Sequence, residues 1–199
     1  MQSDAIMILP ITEPGNAAES TVFQRARSGD VTAFEQLLHV HERSVLRLAA
    51  RLTGNLDDAK DISQEVFLKL HRELRSLRND AQIAPWLYRV TINACFDSKR
   101  KAKRSRLMAI GADARHWRSD GPTPEDAVSR QQDKQMLEAG MRSLSDRERA
   151  AIALRELQGL STAEVAHVLG STESTVRVQI SSARVKLRKF FEKVRGRNV

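Results

Sequence analysis

STAEVAHVLGSTESTVRVQISSAR, residues 161–184, reads as two short helices around a tight turn. Ser161 stands three residues ahead of Glu164, the spacing at which serine and glutamate side chains cap each other's backbone N–H groups. In the first helix Val165, Ala166 and Leu169 share the inward face, and the small Ala166 lets a second helix cross closely. Gly170 sits where the chain reverses, a position that favours access to positive φ, and Thr172 caps the helix that follows. There Val176, Ile180, Ala183 and Leu187 recur on one side. The other side is expected to present Ser174, Thr175, Arg177, Val178, Gln179, Ser181, Ser182 and Arg184. Arginine and glutamine read base edges, while serine, threonine and arginine hold phosphates. The unit is therefore a helix-turn-helix with a basic reading face.

Upstream, Ser145-Asp146-Arg147-Glu148 repeats the reciprocal cap, and Thr123-Pro124-Glu125-Asp126 offers a threonine cap followed by proline and two acids. Residues 123–199 thus read as a domain of about four short helices. Before it, Gly111, Gly121, Pro122 and Pro124 interrupt a stretch with little apolar content, and residues 107–122 are assigned as a flexible linker.

APWLYRVTINACFDSKRKAKRSR, residues 84–106, carries the second basic element. Pro85 suits a first helical turn, Trp86 anchors the start, and Leu87, Val90 and Ala94 are expected to line one side. Arg89, Asn93, Asp97, Arg100 and Arg104 recur three or four apart and form a polar stripe. Six of the eight residues from Lys99 to Arg106 are Lys or Arg. A solvated helix end accounts for such a run by itself, because cations are favourable at a helix C-terminus. An asparagine and an aromatic-rich entry beside it favour contact with unstacked bases.

Earlier in the chain, one helical stripe (Val31, Phe34, Leu37, Leu38, Val45, Leu48, Ala49, Leu52) stops at Gly54-Asn55, and another runs Ala59, Ile62, Val66, Phe67, Leu70, Leu74, Leu77. No window alternates in the strand manner. Residues 23–106 are read as three or four helices on one core, and residues 1–22 as a flexible tail. The expected fold is all-α: two small helical domains on a linker, the second containing the helix-turn-helix. The eighteen residues from Leu107 to Pro124, extended at roughly 3.4 Å each, reach about 60 Å. Two duplex turns span roughly 70 Å, so one chain can touch two sites on DNA.

Composition narrows the function. Lys plus Arg number 33 against 25 Asp plus Glu, a net charge of +8, which favours a polyanionic partner. Cys95 is the single cysteine, so no intramolecular disulfide forms and a reducing cytoplasm is expected. The apolar run Ile6 to Ile11 is too short to span a bilayer and follows Asp4 rather than a basic flank, so no membrane insertion is expected. His39 and His41 diverge on a helix, and Asp58, Asp61 and Glu65 have no histidine on their face. With no phosphate-binding glycine loop or nucleophile–base motif, neither catalysis nor a cofactor or metal is expected.

RLTGNLDDAKDISQEVFLKLHREL, SLRNDAQIAPWLYRVTINACFDSKRKAKR and LSDRERAAIALRELQGLSTAEVAHVLGSTESTVRVQISSARVKLRKF together resemble the bacterial extracytoplasmic-function sigma factors, over about residues 23–104 and 123–191. The resemblance implies a promoter-specificity subunit of RNA polymerase, an initiation factor rather than an enzyme. It implies that Asp61, Gln64, Glu65, Phe67 and Leu68 dock on the coiled coil of the largest polymerase subunit. An acidic face of Asp57, Asp58, Asp61 and Glu65 on an otherwise basic chain suits a basic partner helix.

It implies further that Leu77, Arg78, Asn79 and Asp80, with Asn93, hold a flipped base of the −10 element's non-template strand. Extruding a base costs roughly a few kcal/mol, which pocket contacts must offset. Asp97, Arg100, Lys101 and Lys103 follow along the same groove, and Trp86 and Tyr88 serve as scaffold. Arg177, Gln179, Ser182 and Arg184 fall at positions that read or grip the −35 element, with Ser174, Thr175 and Val178 completing the face. The chain departs from frequent family residues at Leu77 (phenylalanine), Asn79 (glycine), and Val178 and Gln179 (serine and arginine). Core polymerase, promoter DNA and a cognate anti-sigma factor are the implied partners. The rival from another class is a stand-alone dimeric helix-turn-helix regulator, which binds pseudo-palindromic half-sites without polymerase.

Overall fold

The computed structural model describes residues 17–79, 82–108 and 136–196, and among these every regular element is a helix. The first departure from the sequence reading is α1 (Ala17–Arg27), which begins inside the segment expected to be a tail. Phe23 is wholly buried and Ala26 nearly so, seating α1 on α2 (Val31–Thr53). Asp30 caps α2, its carboxylate accepting from the Ala33 N–H at 3.1 Å and from Arg25 Nη2 at 2.6 Å.

Helix α2 ends at Gly54, where φ is 74°, a conformation that side chains disfavour. Asn55 then caps α3 (Leu56–Glu73) by accepting from the Asp57 N–H at 2.8 Å. Ala59, Ile62, Val66 and Leu70 are buried at helical spacing, as the second stripe requires. A 3-10 turn at Leu74–Ser76 leads to α4 (Ile83–Met108), with Pro85 in its first turn. Its buried strip comprises Ile83, Leu87, Tyr88, Thr91, Ile92 and Cys95, while Val90 and Ala94, expected on that side, are half-buried. The strip is wide because α4 packs against α2 and α3 and also against the C-terminal half.

In that half, residues 136–142 are helical (α5) and precede α6 (Asp146–Leu157), α7 (Thr162–Leu169) and α8 (Glu173–Arg195). Both reciprocal caps form. Ser145 N–H donates to Glu148 Oε2 at 2.9 Å, and Ser161 N–H to Glu164 Oε2 at 2.7 Å. Gly170 turns the chain at φ 58°, and Thr172 caps α8. The threonine cap expected at Thr123 and the linker from 109 onward lie outside the described residues.

The halves are not separate bodies. Every residue from Glu148 to Leu154 is buried, so this stretch of α6 is enclosed on all sides, with α2 on one flank and α7 and α8 on the other, while α4 meets the C-terminal half through α7. Leu52, Leu87 and Ile92 belong to the same continuous apolar core as Ala150, Leu154, Val165 and Val176. Polar pins cross the seam. Arg149 Nη1 donates to the Leu52 carbonyl at 3.2 Å, while its other nitrogens hold the Met141 and Leu144 carbonyls at 2.8 and 3.1 Å. Buried Gln158 donates to the Ser44 carbonyl at 3.4 Å and accepts from the Tyr88 hydroxyl at 3.2 Å. Lys99 meets Asp146 at 2.7 Å.

A second network seats α8. Glu148 accepts from Ser182 Oγ at 2.6 Å and from Lys186 Nζ at 2.8 Å. These bonds, Lys186 foremost, hold its carboxyl down to about 2 against an ordinary 4.5.

Replacing Arg149 with alanine orphans several buried carbonyls and is expected to cost about 2–4 kcal/mol, read as a lowered urea midpoint. An unmoved midpoint would show that the guanidinium is dispensable. Because the folded pKa of Glu148 lies below its unfolded value, its contribution is full well above pH 4.5 and is lost as pH falls from 4.5 towards 2. Glu148→Gln should therefore flatten the acid limb of the stability–pH curve in that window, measured by urea titration at each pH.

Candidate nucleic-acid and polymerase interface

Three exposed helix faces differ in chemistry. On α3, the Asn55 cap starts the helix so that Asp57, Asp58, Asp61, Gln64, Glu65 and Leu68 all face solvent. Lys60 pairs with Asp57 at 3.3 Å, and among the described residues Asp58, Asp61 and Glu65 have no ion-pair partner. Leu68 is 64 % exposed on the same side, an apolar group at the C-terminal end of the acidic stripe. Phe67 is half-buried, with part of its ring packed against the apolar core.

On α4, Asn93, Asp97, Arg100, Lys101 and Arg104 are exposed on one face. Asp97 and Arg100 form an ion pair. The side chain of Lys103 lies outside the described residues, as does Asp80. The preceding loop is shaped by a residue the sequence reading passed over: Gln82 Oε1 accepts from the Arg78 N–H at 2.8 Å, while the Gln82 N–H donates to the Asn79 carbonyl at 3.3 Å. Arg78 and Asn79 are exposed, but Leu77 is buried in the core and is not available to line a base pocket.

On α8, Ser174, Thr175, Arg177, Val178, Ser181 and Arg184 are exposed as expected. Two residues assigned to this face turn inward instead. Ser182 is half-buried and donates to Glu148. Gln179 is half-buried, with Oε1 closed off from solvent and without a hydrogen-bond partner. Both flank the buried stripe of Val176, Ile180 and Ala183 closely enough for α6 and α7 to cover them. Arg177 pairs with Glu173 at 2.8 Å and Arg184 with Glu156 at 2.6 Å. Beside this face an open cleft of about 440 Å³ gathers Arg155, Arg177, Arg184 and Arg188 with Thr162 and Ser181. Arg155 was missed because it lies on α6 and joins the face only through the packing of α6 on α8, and Arg188 because it lies on α8 one turn beyond the helix-turn-helix. Four guanidiniums beside an exposed helix can neutralise phosphates on either side of a groove.

The two basic faces are also latched. Arg89, one turn before Asn93 on α4, donates from Nη2 to the His167 carbonyl at 2.8 Å, near the end of α7 and just ahead of the Gly170 turn. A cation there also meets the negative end of the α7 dipole.

Comparison with known proteins accords with this layout. The sequence model of sigma-70 region 2 matches residues 37–105, and that of sigma-70 region 4 matches residues 134–187. The chain is 32 % identical over 194 residues to the ECF RNA polymerase sigma factor SigE of Mycolicibacterium smegmatis, covering 96 % of this chain and 73 % of that one. It is 31 % identical over 175 residues to the ECF RNA polymerase sigma-E factor of Escherichia coli K12, covering 83 % and 90 %. Its fold is similar to that of the sigma factor RpoE of Bartonella quintana, solved with the anti-sigma factor NepR, at a TM-score of 0.66 and 23 % identity over 80 % of this chain and 96 % of that one. Among the described residues no helix is long and apolar enough to cross a membrane. With region 2 on the acidic and first basic faces and region 4 on the helix-turn-helix, the chain belongs to the ECF sigma factors of the sigma-70 family and is a promoter-specificity subunit of RNA polymerase.

Proposed function

We propose that α3 is the dock for core polymerase, that α4 and the Arg78–Asn79 loop hold the opened −10 strand, and that α8 reads the −35 element. The observation that carries these assignments is the segregation of charge. Three carboxylates without ion-pair partners among the described residues precede an exposed leucine along one side of α3, whereas α4 and α8 expose cations and hydrogen-bonding groups, in a chain of net charge +8. Asp61, Gln64, Glu65 and Leu68 contact the polymerase, Asn93 with Asp97, Arg100 and Lys101 the −10 strand, and Ser174, Thr175, Arg177, Val178 and Arg184 the −35 duplex. An anti-sigma factor, the class of partner found with the Bartonella quintana protein, is the proposed inhibitor, and the cytoplasm, where polymerase works, the proposed location. The stand-alone dimeric regulator is not favoured, because the chain carries both sigma regions.

The roles require the seam to part. By their names the two promoter elements lie roughly 25 base pairs apart, about 85 Å at ~3.4 Å per pair. The Arg89–His167 latch holds the α4 and α7–α8 readers within a side chain's length of each other. The 27 residues from 109 to 135 span about 90 Å when extended, enough to keep both halves on one promoter.

Run-off transcription with core polymerase on genomic DNA tests the function and supplies the promoters. Glu65→Lys should raise the dissociation constant for core polymerase by an order of magnitude or so, and an unchanged constant would remove α3 from the dock. Opening is read by energy transfer between dyes on Glu42→Cys and Lys189→Cys, both exposed. The native Cys95 stays unlabelled because burial pushes its thiol up to about 12. Transfer should fall when core polymerase is added; a constant signal would mean that the closed form is the working one.

A further inference from the structure

The outermost ridge of α8 is not its charged one. At about 100° per residue, Ser174, Val178 and Val185 stand roughly opposite the buried stripe of Val176, Ile180 and Ala183. Val178 is 69 % exposed and Val185 39 %. The arginines lie to one side of this ridge, and both in the reading half are engaged, Arg177 with Glu173 and Arg184 with Glu156. On the other side Ser182 is held by Glu148, and Gln179 is turned in with its oxygen enclosed. The large side chain most nearly opposite the buried stripe in the reading half of the helix is therefore apolar and β-branched, flanked by the short hydroxyls of Ser174 and Ser181.

Scattered exposed valines are ordinary on a protein surface. One centred on the outer ridge of a helix that enters the major groove meets base edges, and the N-terminal half of such a helix reaches them first. In that groove the one apolar group a base offers is the C5-methyl of thymine. We propose that Val178 selects a thymine within the −35 element by burying that methyl against its own. The inference rests on α8 being the −35 reader, and it assigns the apolar part of the readout to a residue whose neighbours Arg177 and Gln179 are respectively paired and enclosed.

The test uses holoenzyme and a promoter recovered by run-off transcription, with each −35 thymine replaced in turn by deoxyuridine, which removes the methyl and keeps every hydrogen-bonding group. For the wild type, one replacement should weaken binding about three- to fivefold, the worth of one buried methyl. Val178→Ala, checked for helical content by circular dichroism, should bind the thymine and deoxyuridine promoters alike at that position. Sensitivity that persists in Val178→Ala, silence at every thymine, or a −35 element without thymine on either strand overturns the proposal. A promoter with the whole −35 element scrambled separates the two levels. If scrambling weakens binding while every deoxyuridine is silent, the thymine contact alone falls; if scrambling changes nothing, the assignment of α8 falls with it.

Discussion

Helix α6 leaves no face for water between Glu148 and Leu154, and both halves of the chain are arranged around that fact. A helix buried on every side cannot be stable within one small domain unless something covers its second flank. Here α2 supplies the cover from region 2, while α7 and α8 supply it from region 4. The one cation in the buried stretch from Glu148 to Leu154, Arg149, is tolerable there because it donates to carbonyls of both halves. Removing α6 would strip an apolar cover from α2 and the seat from α8 together.

Surface charge follows a different logic from the core. The exposed arginines of α8 are held by Glu173 and Glu156, pairs of the kind worth about 0–1 kcal/mol. A phosphate or a guanine displaces such a carboxylate at little cost, whereas a poorly matched site leaves the glutamate facing DNA. The pairs thus keep the side chains ordered and also penalise the wrong sequence. Asp58, Asp61 and Glu65 on α3 have no ion-pair partners among the described residues, which fits a face that waits for a basic helix from outside.

The helix-turn-helix was legible because local chemistry decides it: Ser145 with Glu148, Ser161 with Glu164, Gly170 and Thr172 each do what their spacing implies. Helix α1 was not, since Phe23 and Ala26 are too few inward residues to show a period. The orientation of Gln179 and Ser182 was also hidden. A helical wheel places them beside the stripe, and only the packing of α6 decides whether the margin is wet or dry. Leu77 escaped for a related reason: its place in a motif suggested a surface role, while its apolar bulk sent it to the core. The seam between the halves had no signature beyond the unbroken run Ala150–Leu154, because tertiary contacts across more than a hundred residues leave no periodic trace.

The polar pins along that seam give it a particular character. When Gln158, Tyr88, Arg149 and Arg89 part from their partners, each donor and acceptor meets water rather than a void, so the pins add only modestly to a cost of separation set by the apolar core the seam exposes. The closed form then acts as a threshold. Every 1.4 kcal/mol by which it is favoured divides the apparent affinity for promoter DNA by about ten, in the absence of polymerase. Substitutions in the seam, far from any base, would thus reset the dose of polymerase at which transcription begins without altering which promoters are chosen.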